Sequence, residues 1–145
     1  MNSFFGLASI AVICGIAVAL QSQFMGVLEN KMGTLEGVFV TFFSGGLVAA
    51  LIMLFVRGNN LKAWPEVPLY AFTTGILGLI IVGSIGYVAP RIGLTKAFTI
   101  IVATQFIIAI IIDHFGLMGA SVRPMDMSKV IGVSSLLAGV WLIIK

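Results

Sequence analysis

Residues 37–56 read GVFVTFFSGGLVAALIMLFV, twenty residues without a single charge. A bilayer's hydrocarbon core is about 30 Å thick, and a helix rising about 1.5 Å per residue crosses it in roughly 20 residues. The stretch has the length of a membrane span. Its apolar residues run on continuously instead of alternating, which excludes a strand of a membrane β-barrel. The chain on either side repeats the pattern. No Asp, Glu, Lys or Arg precedes Glu29, and further charge-free runs cover Val67–Pro90, Ala97–Ile112 and Val130–Ile144. The last two are short, but Lys96, Lys129 and Lys145 extend them by snorkelling to the interface. The runs predict an all-α membrane protein with five transmembrane helices, over about 4–26, 36–56, 67–89, 94–115 and 128–144.

Composition agrees. Of 145 residues, 60% are hydrophobic and 9% charged, with a mean hydropathy of +1.19. A soluble domain needs roughly 25% charged residues to cover its surface. The connecting segments are short, so 1–145 reads as a single five-helix transmembrane domain. Ala17-Val18-Ala19 faintly resembles a signal-peptide cleavage site, but no basic region precedes the apolar run and four more spans follow it. Several function classes fall away. A lone Cys14 and a lone His114 form neither a disulfide nor a metal site. Nothing calls for a cofactor. The net charge of +3 is spread over the loops, which argues against nucleic acid as a partner. No nucleophile–base pair is visible, so catalysis is not expected.

Five spans put the termini on opposite sides of the membrane. The N-terminal side then carries Arg57, Lys62, Arg123 and Lys129, and the other side Lys31, Arg91, Lys96 and Lys145. An excess of Lys and Arg marks the cytoplasmic side, and here four face four. Either a few residues nearest the membrane decide the orientation, or the same chain inserts both ways. In the second case an up copy pairs with a down copy, rebuilding the inverted repeat of many secondary transporters.

Polar residues inside the spans are the candidate contacts. Gln21 and Gln23 lie about 200° apart around helix 1, so they face different surroundings. Thr41 and Ser44 share a face of helix 2, where Gly45 and Gly46 allow close helix approach. Helix 3 carries Gly75, Gly78, Gly83 and Gly86, which imply tight crossings or a bend. Helix 4 holds Gln105 near its centre and Asp113 at its end, about 80° apart. These amides and hydroxyls either bind a solute or bond neighbouring helices to one another. An anion at a helix C-terminus opposes the dipole whereas a cation suits it, so His114 fits its place and Asp113 needs a reason. Solvation at the interface or pairing with a nearby cation is one reason; gating or proton-linked titration at a cavity mouth is another. Gly132, Ser135 and Gly139 on helix 5 suggest a helix–helix interface, including one between protomers. No charge occupies any helix centre, which points to a neutral or zwitterionic solute, or to an anion held by helix N-termini.

Together LQSQFMGVLENKMG (20–33), TFFSGG (41–46), APRIG (89–93), ATQF (103–106), DHFGLMG (113–119) and GVSSLLAGVWLI (132–143) resemble the YdcZ-type family, five-helix, half-size members of the drug/metabolite transporter superfamily. The likeness spans nearly the whole chain, and Gln105 with Asp113-His114-Phe115-Gly116 is its most specific part. Met25 departs from it, since members often carry Asn there. The resemblance implies a bacterial inner-membrane protein that is half of an inverted-repeat fold, with helices 1–4 lining a cavity and helix 5 bracing the pairing. The expectation is a secondary transporter of a small metabolite or hydrophilic organic molecule, working by alternating access as an antiparallel homodimer or with a homologous half-size partner. Gln21, Gln105, Thr41 and Ser44 are then the substrate contacts. The alternative is a non-transporting accessory subunit or one half of a heterodimer.

Overall fold

The computed structural model describes residues 4–56 and 59–145, and among these it contains helices and no strand. The long helices are α1 (Phe4–Met32), α2 (Thr34–Val56), α3 (Thr74–Ile92), α4 (Leu94–Phe115) and α5 (Met127–Ile144). Short 3₁₀ segments cover Asn59–Glu66, Leu69–Thr73 and Leu117–Gly119, and the second runs directly into α3. Five helical stretches of 29, 23, 24, 22 and 18 residues are long and apolar enough to cross a membrane. Their outer faces are oily. Phe5, Phe55 and Leu69 are 80–87% exposed, which suits lipid and not water.

Three boundaries differ from the sequence reading; α3 begins at Thr74, behind the 3₁₀ segment Leu69–Thr73, and not at 67. α1 runs through Glu29 to Met32, because the Glu29 carboxylate finds partners and does not force the chain out of helix. α3 likewise continues through Pro90 to Ile92. A proline in the last turn removes one N–H and leaves the rest of the ladder intact. The breaks fall instead at single glycines, Gly33 (φ 102°) and Gly93 (φ 88°), conformations that a Cβ would oppose. Between α2 and the first 3₁₀ segment, Arg57 and Gly58 lie outside the described residues.

The chain forms two compact units, Met1–Arg91 and Ile92–Lys145. In the first, α1 and α2 pack side by side, and the glycines of α3 receive their side chains. A Cβ on Gly78 would lie 3.0 Å from the Phe42 ring, and one on Gly83 would lie 3.4 Å from Val38. At Gly86 a Cβ would come within 2.7 Å of Met25 Cγ, and at Gly37 within 2.9 Å of Met25 Cε. Met25, 1% exposed, is thus a knob from α1 set between glycines of α2 and α3. Gly78, Gly83 and Gly86 therefore serve tight crossings, whereas a Cβ on Gly75 would meet nothing within 4 Å. Gly45 and Gly46 are likewise open: a Cβ on either meets nothing within 4 Å in the protomer.

In the second unit α4 packs on α5. Gly116, in the left-handed conformation, closes α4, and its N–H returns to the Ile112 carbonyl. Asp126 caps α5 by accepting the Lys129 N–H at 2.8 Å, as its position before an apolar run suggests. The loop between them is tied to the end of α4 twice. Arg123 N–H donates to the Asp113 carbonyl at 2.8 Å, and Met125 N–H donates to His114 Nδ1 at 3.0 Å.

Gly86→Ala is expected to lower stability by about 1–3 kcal/mol through overpacking against Met25. Gly45→Ala changes it by less than about 0.5 kcal/mol. Thermal unfolding of the two variants in the same detergent checks the contrast, and adding Met25→Ala to Gly86→Ala should restore part of the loss.

Candidate functional site

Helical phase decides what each polar side chain of the first unit can reach. Ser22 and Met25, three residues apart on one face of α1, turn inward, and the Ser22 hydroxyl donates to the Val18 carbonyl at 2.7 Å. Gln21 precedes Ser22 by one residue and is exposed, and its amide hydrogen-bonds no described residue. Thr41 lies half-buried over Met25, its oxygen 3.8 Å from the sulfur, and its hydroxyl donates to the Gly37 carbonyl at 2.8 Å. Ser44 is exposed and donates to the Thr41 carbonyl at 3.2 Å. Both hydroxyl protons are thus engaged by the helix's own backbone. Toward a solute Thr41 and Ser44 offer lone pairs, while Gln21 offers both donors and an acceptor.

One cluster in this unit has no counterpart in the sequence reading. Arg91 Nη1 donates to Glu29 Oε1 at 3.1 Å and also to the Tyr87 carbonyl, while its guanidinium lies 3.5 Å above the Tyr87 ring centroid. The Thr34 hydroxyl donates to the other Glu29 oxygen. Glu29–Arg91 is the one ion pair among the described residues. It joins the ends of α1 and α3, and Thr34 adds the start of α2. The acid is 9% exposed and the base 48%, so the carboxylate is the shielded member. Sixty-two positions separate the partners, too far for any local pattern to show the contact.

In the second unit the α4–α5 groove opens as two clefts that meet at Leu136. The cleft nearer the α4–α5 loop has a volume of about 470 Å³. Phe106, Ala109, Ile110 and Asp113 of α4 line one wall, and Lys129, Gly132, Val133 and Leu136 of α5 the other. Asp113 is half-buried and pairs with no cation among the described residues. The Lys129 ammonium instead donates to the carbonyls of Arg123 (3.2 Å) and Pro124 (2.8 Å). The other cleft, of about 440 Å³, is bordered by Ser135 and Gly139. A Cβ on Gly132 or Gly139 would meet nothing within 4 Å, so the small-residue stripe faces open space in the protomer. Gln105 is exposed and lines neither cleft. Asp113 and Gln105 therefore sit on adjoining but separate faces of α4.

His114 does more than occupy the end of α4. Its Nδ1 accepts the Met125 N–H, so the ring also clasps the loop that leads to α5. His114→Ala should cost about 0.5–1.5 kcal/mol and loosen the segment before α5; thermal unfolding with amide exchange at Met125 reads both. Around Glu29, Arg91→Ala and Glu29→Gln should each lower the melting temperature. The double variant should be little worse than either single one, because one contact is lost in all three.

Comparison with known proteins agrees with this architecture. A family model described as "Putative inner membrane exporter, YdcZ" matches residues 6–142. Neither the curated proteins nor the solved structures provide a match. With a family match over nearly its whole length and five helices of spanning length, the chain belongs to the YdcZ family of inner-membrane exporters and is a multi-pass membrane protein.

Proposed function

We propose that the protein exports a small metabolite or hydrophilic organic molecule by alternating access, as an antiparallel dimer of two copies inserted in opposite orientations. The balance of Lys and Arg carries the pairing: four on each side of a five-span chain leave no net orienting charge. An odd number of spans makes two such copies the two halves of an inverted repeat. The family description supports export as the direction.

The solute contacts proposed are Gln21 and Gln105, assisted by Thr41 and Ser44. Exposed amides supply donors, and hydroxyls already committed to the backbone supply acceptors, a set suited to a neutral or zwitterionic solute. With no charge at any helix centre, a full ionic charge on the solute would find no counter-charge midway along a span. Asp113, unpaired and half-buried at the end of α4, is the proposed titrating or gating carboxylate. Gly132, Ser135 and Gly139 are the proposed contact of α5 with the second protomer, where open space over the glycines leaves room for another helix.

Reporters fused to each terminus test the pairing. Both orientations should appear in comparable amounts; a single fixed orientation would overturn the homodimer and favour a homologous half-size partner or an accessory role. Transport is tested with purified protein in liposomes against a panel of metabolites. For a solute that is moved, Gln105→Ala should cut flux about tenfold or more, the effect of losing one or two hydrogen bonds in a site of low dielectric. Asp113→Asn should flatten the dependence of flux on pH, and an unchanged profile would remove the titrating role.

A further inference from the structure

The cleft between α4 and α5, which shares Asp113 and Gly132 with the transport reading, combines three properties that go beyond it. Its mouth lies where α4 ends and α5 begins, the depth at which a span meets the headgroups. Two charged side chains, Asp113 and Lys129, stand there on opposite walls. Below them the lining is apolar: from Asp113 to Phe106 on α4, and from Lys129 to Leu136 on α5, the walls descend about 10 Å toward the middle of the bilayer. Gly132 leaves the wall open, and Leu136 forms the floor that divides this cleft from the next.

From these features we infer that the cleft is a binding site for a zwitterionic phospholipid, with ammonium against Asp113, phosphate against Lys129 and part of one acyl chain along Phe106, Ile110, Val133 and Leu136. Charge complementarity identifies the occupant. Asp113 pairs with no cation among the described residues and is free to accept from an ammonium. Lys129 uses two of its three N–H groups on the Arg123 and Pro124 carbonyls, which fixes the ammonium in place and leaves one donor for a phosphate oxygen. An anionic lipid without an amine would satisfy Lys129 but bring negative charge against Asp113. A water-soluble zwitterion would leave the apolar walls unfilled. A volume of about 470 Å³ holds a section of a single chain and not a helix. The lipid site takes Gly132 from the proposed contact between protomers and leaves it Ser135 and Gly139 in the neighbouring cleft, and the lipid site stands whether or not the protein transports.

Native mass spectrometry of the full chain from mixed micelles tests the assignment, with phosphatidylethanolamine and phosphatidylglycerol of identical acyl chains as probes. The wild type should retain phosphatidylethanolamine over phosphatidylglycerol by about two- to fivefold, the range of a partly exposed ion pair. Asp113→Asn should abolish the preference while lipid is still retained, and Lys129→Gln should weaken both lipids alike. Gly132→Leu, which fills the cleft, should reduce retention of both; should it fail to fold, the two charge variants carry the test. Equal retention by the wild type, or a preference that survives Asp113→Asn, overturns the proposal. So does a wild-type dimer that holds no lipid and dissociates on Gly132→Leu, because a second copy would then fill the cleft.

Discussion

A backbone amide in hydrocarbon has no water to bond, so every segment crossing the membrane must satisfy its own N–H and C=O groups. That constraint makes each of the five apolar runs a helix and confines irregular backbone to the ends. It also explains how abruptly the helices turn. Gly33 alone separates α1 from α2, and Gly93 alone separates α3 from α4. Across Gly33 the bonding hardly lapses, since its N–H reaches the Glu29 carbonyl and its own carbonyl accepts from Gly37. Where the connection is longer, between α4 and α5, Asp126, His114 and the Asp113 carbonyl take up backbone N–H groups one by one.

Lipid gives helices little hydrophobic reason to associate, because the tails are as apolar as the side chains. Association must come from close packing and polar contacts. The first unit shows both. Met25, Val38 and Phe42 sit against Gly86, Gly83 and Gly78, where α3 presents backbone instead of side chains. At one end of that packing, Glu29, Arg91, Thr34 and Tyr87 bond three helices together. The second unit has grooves instead. Its two helices meet at Leu136 and leave clefts on either side of it, with open space over Gly132 and Gly139.

Gln105 and Asp113 show how far helical phase reaches. An angle of about 80° places them on one broad side of α4, and that holds. Yet the groove against α5 takes in Phe106 and Asp113 and passes Gln105 by. Phase gives direction around one helix; which directions are covered depends on the neighbour. The same limit explains the different fates of the glycines. Gly45-Gly46 and Gly86 look alike as small residues in apolar runs, but only Gly86 has Met25 above it.

The motifs between Leu20 and Ile143 pointed to the family; length and apolarity, read from the sequence alone, determined the class, the number of spans and their positions to within a few residues. These depend on the thickness of hydrocarbon and the rise of a helix, which are the same for every chain. The balance of Lys and Arg was equally legible, because it needs only counting. Tertiary structure decided the partners: Met25 as the knob of the first unit, Glu29 with Arg91, and His114 as a loop clasp. Each of these contacts joins residues whose separation along the chain no helical period predicts, and a continuously apolar span carries no stripe to say which face turns inward.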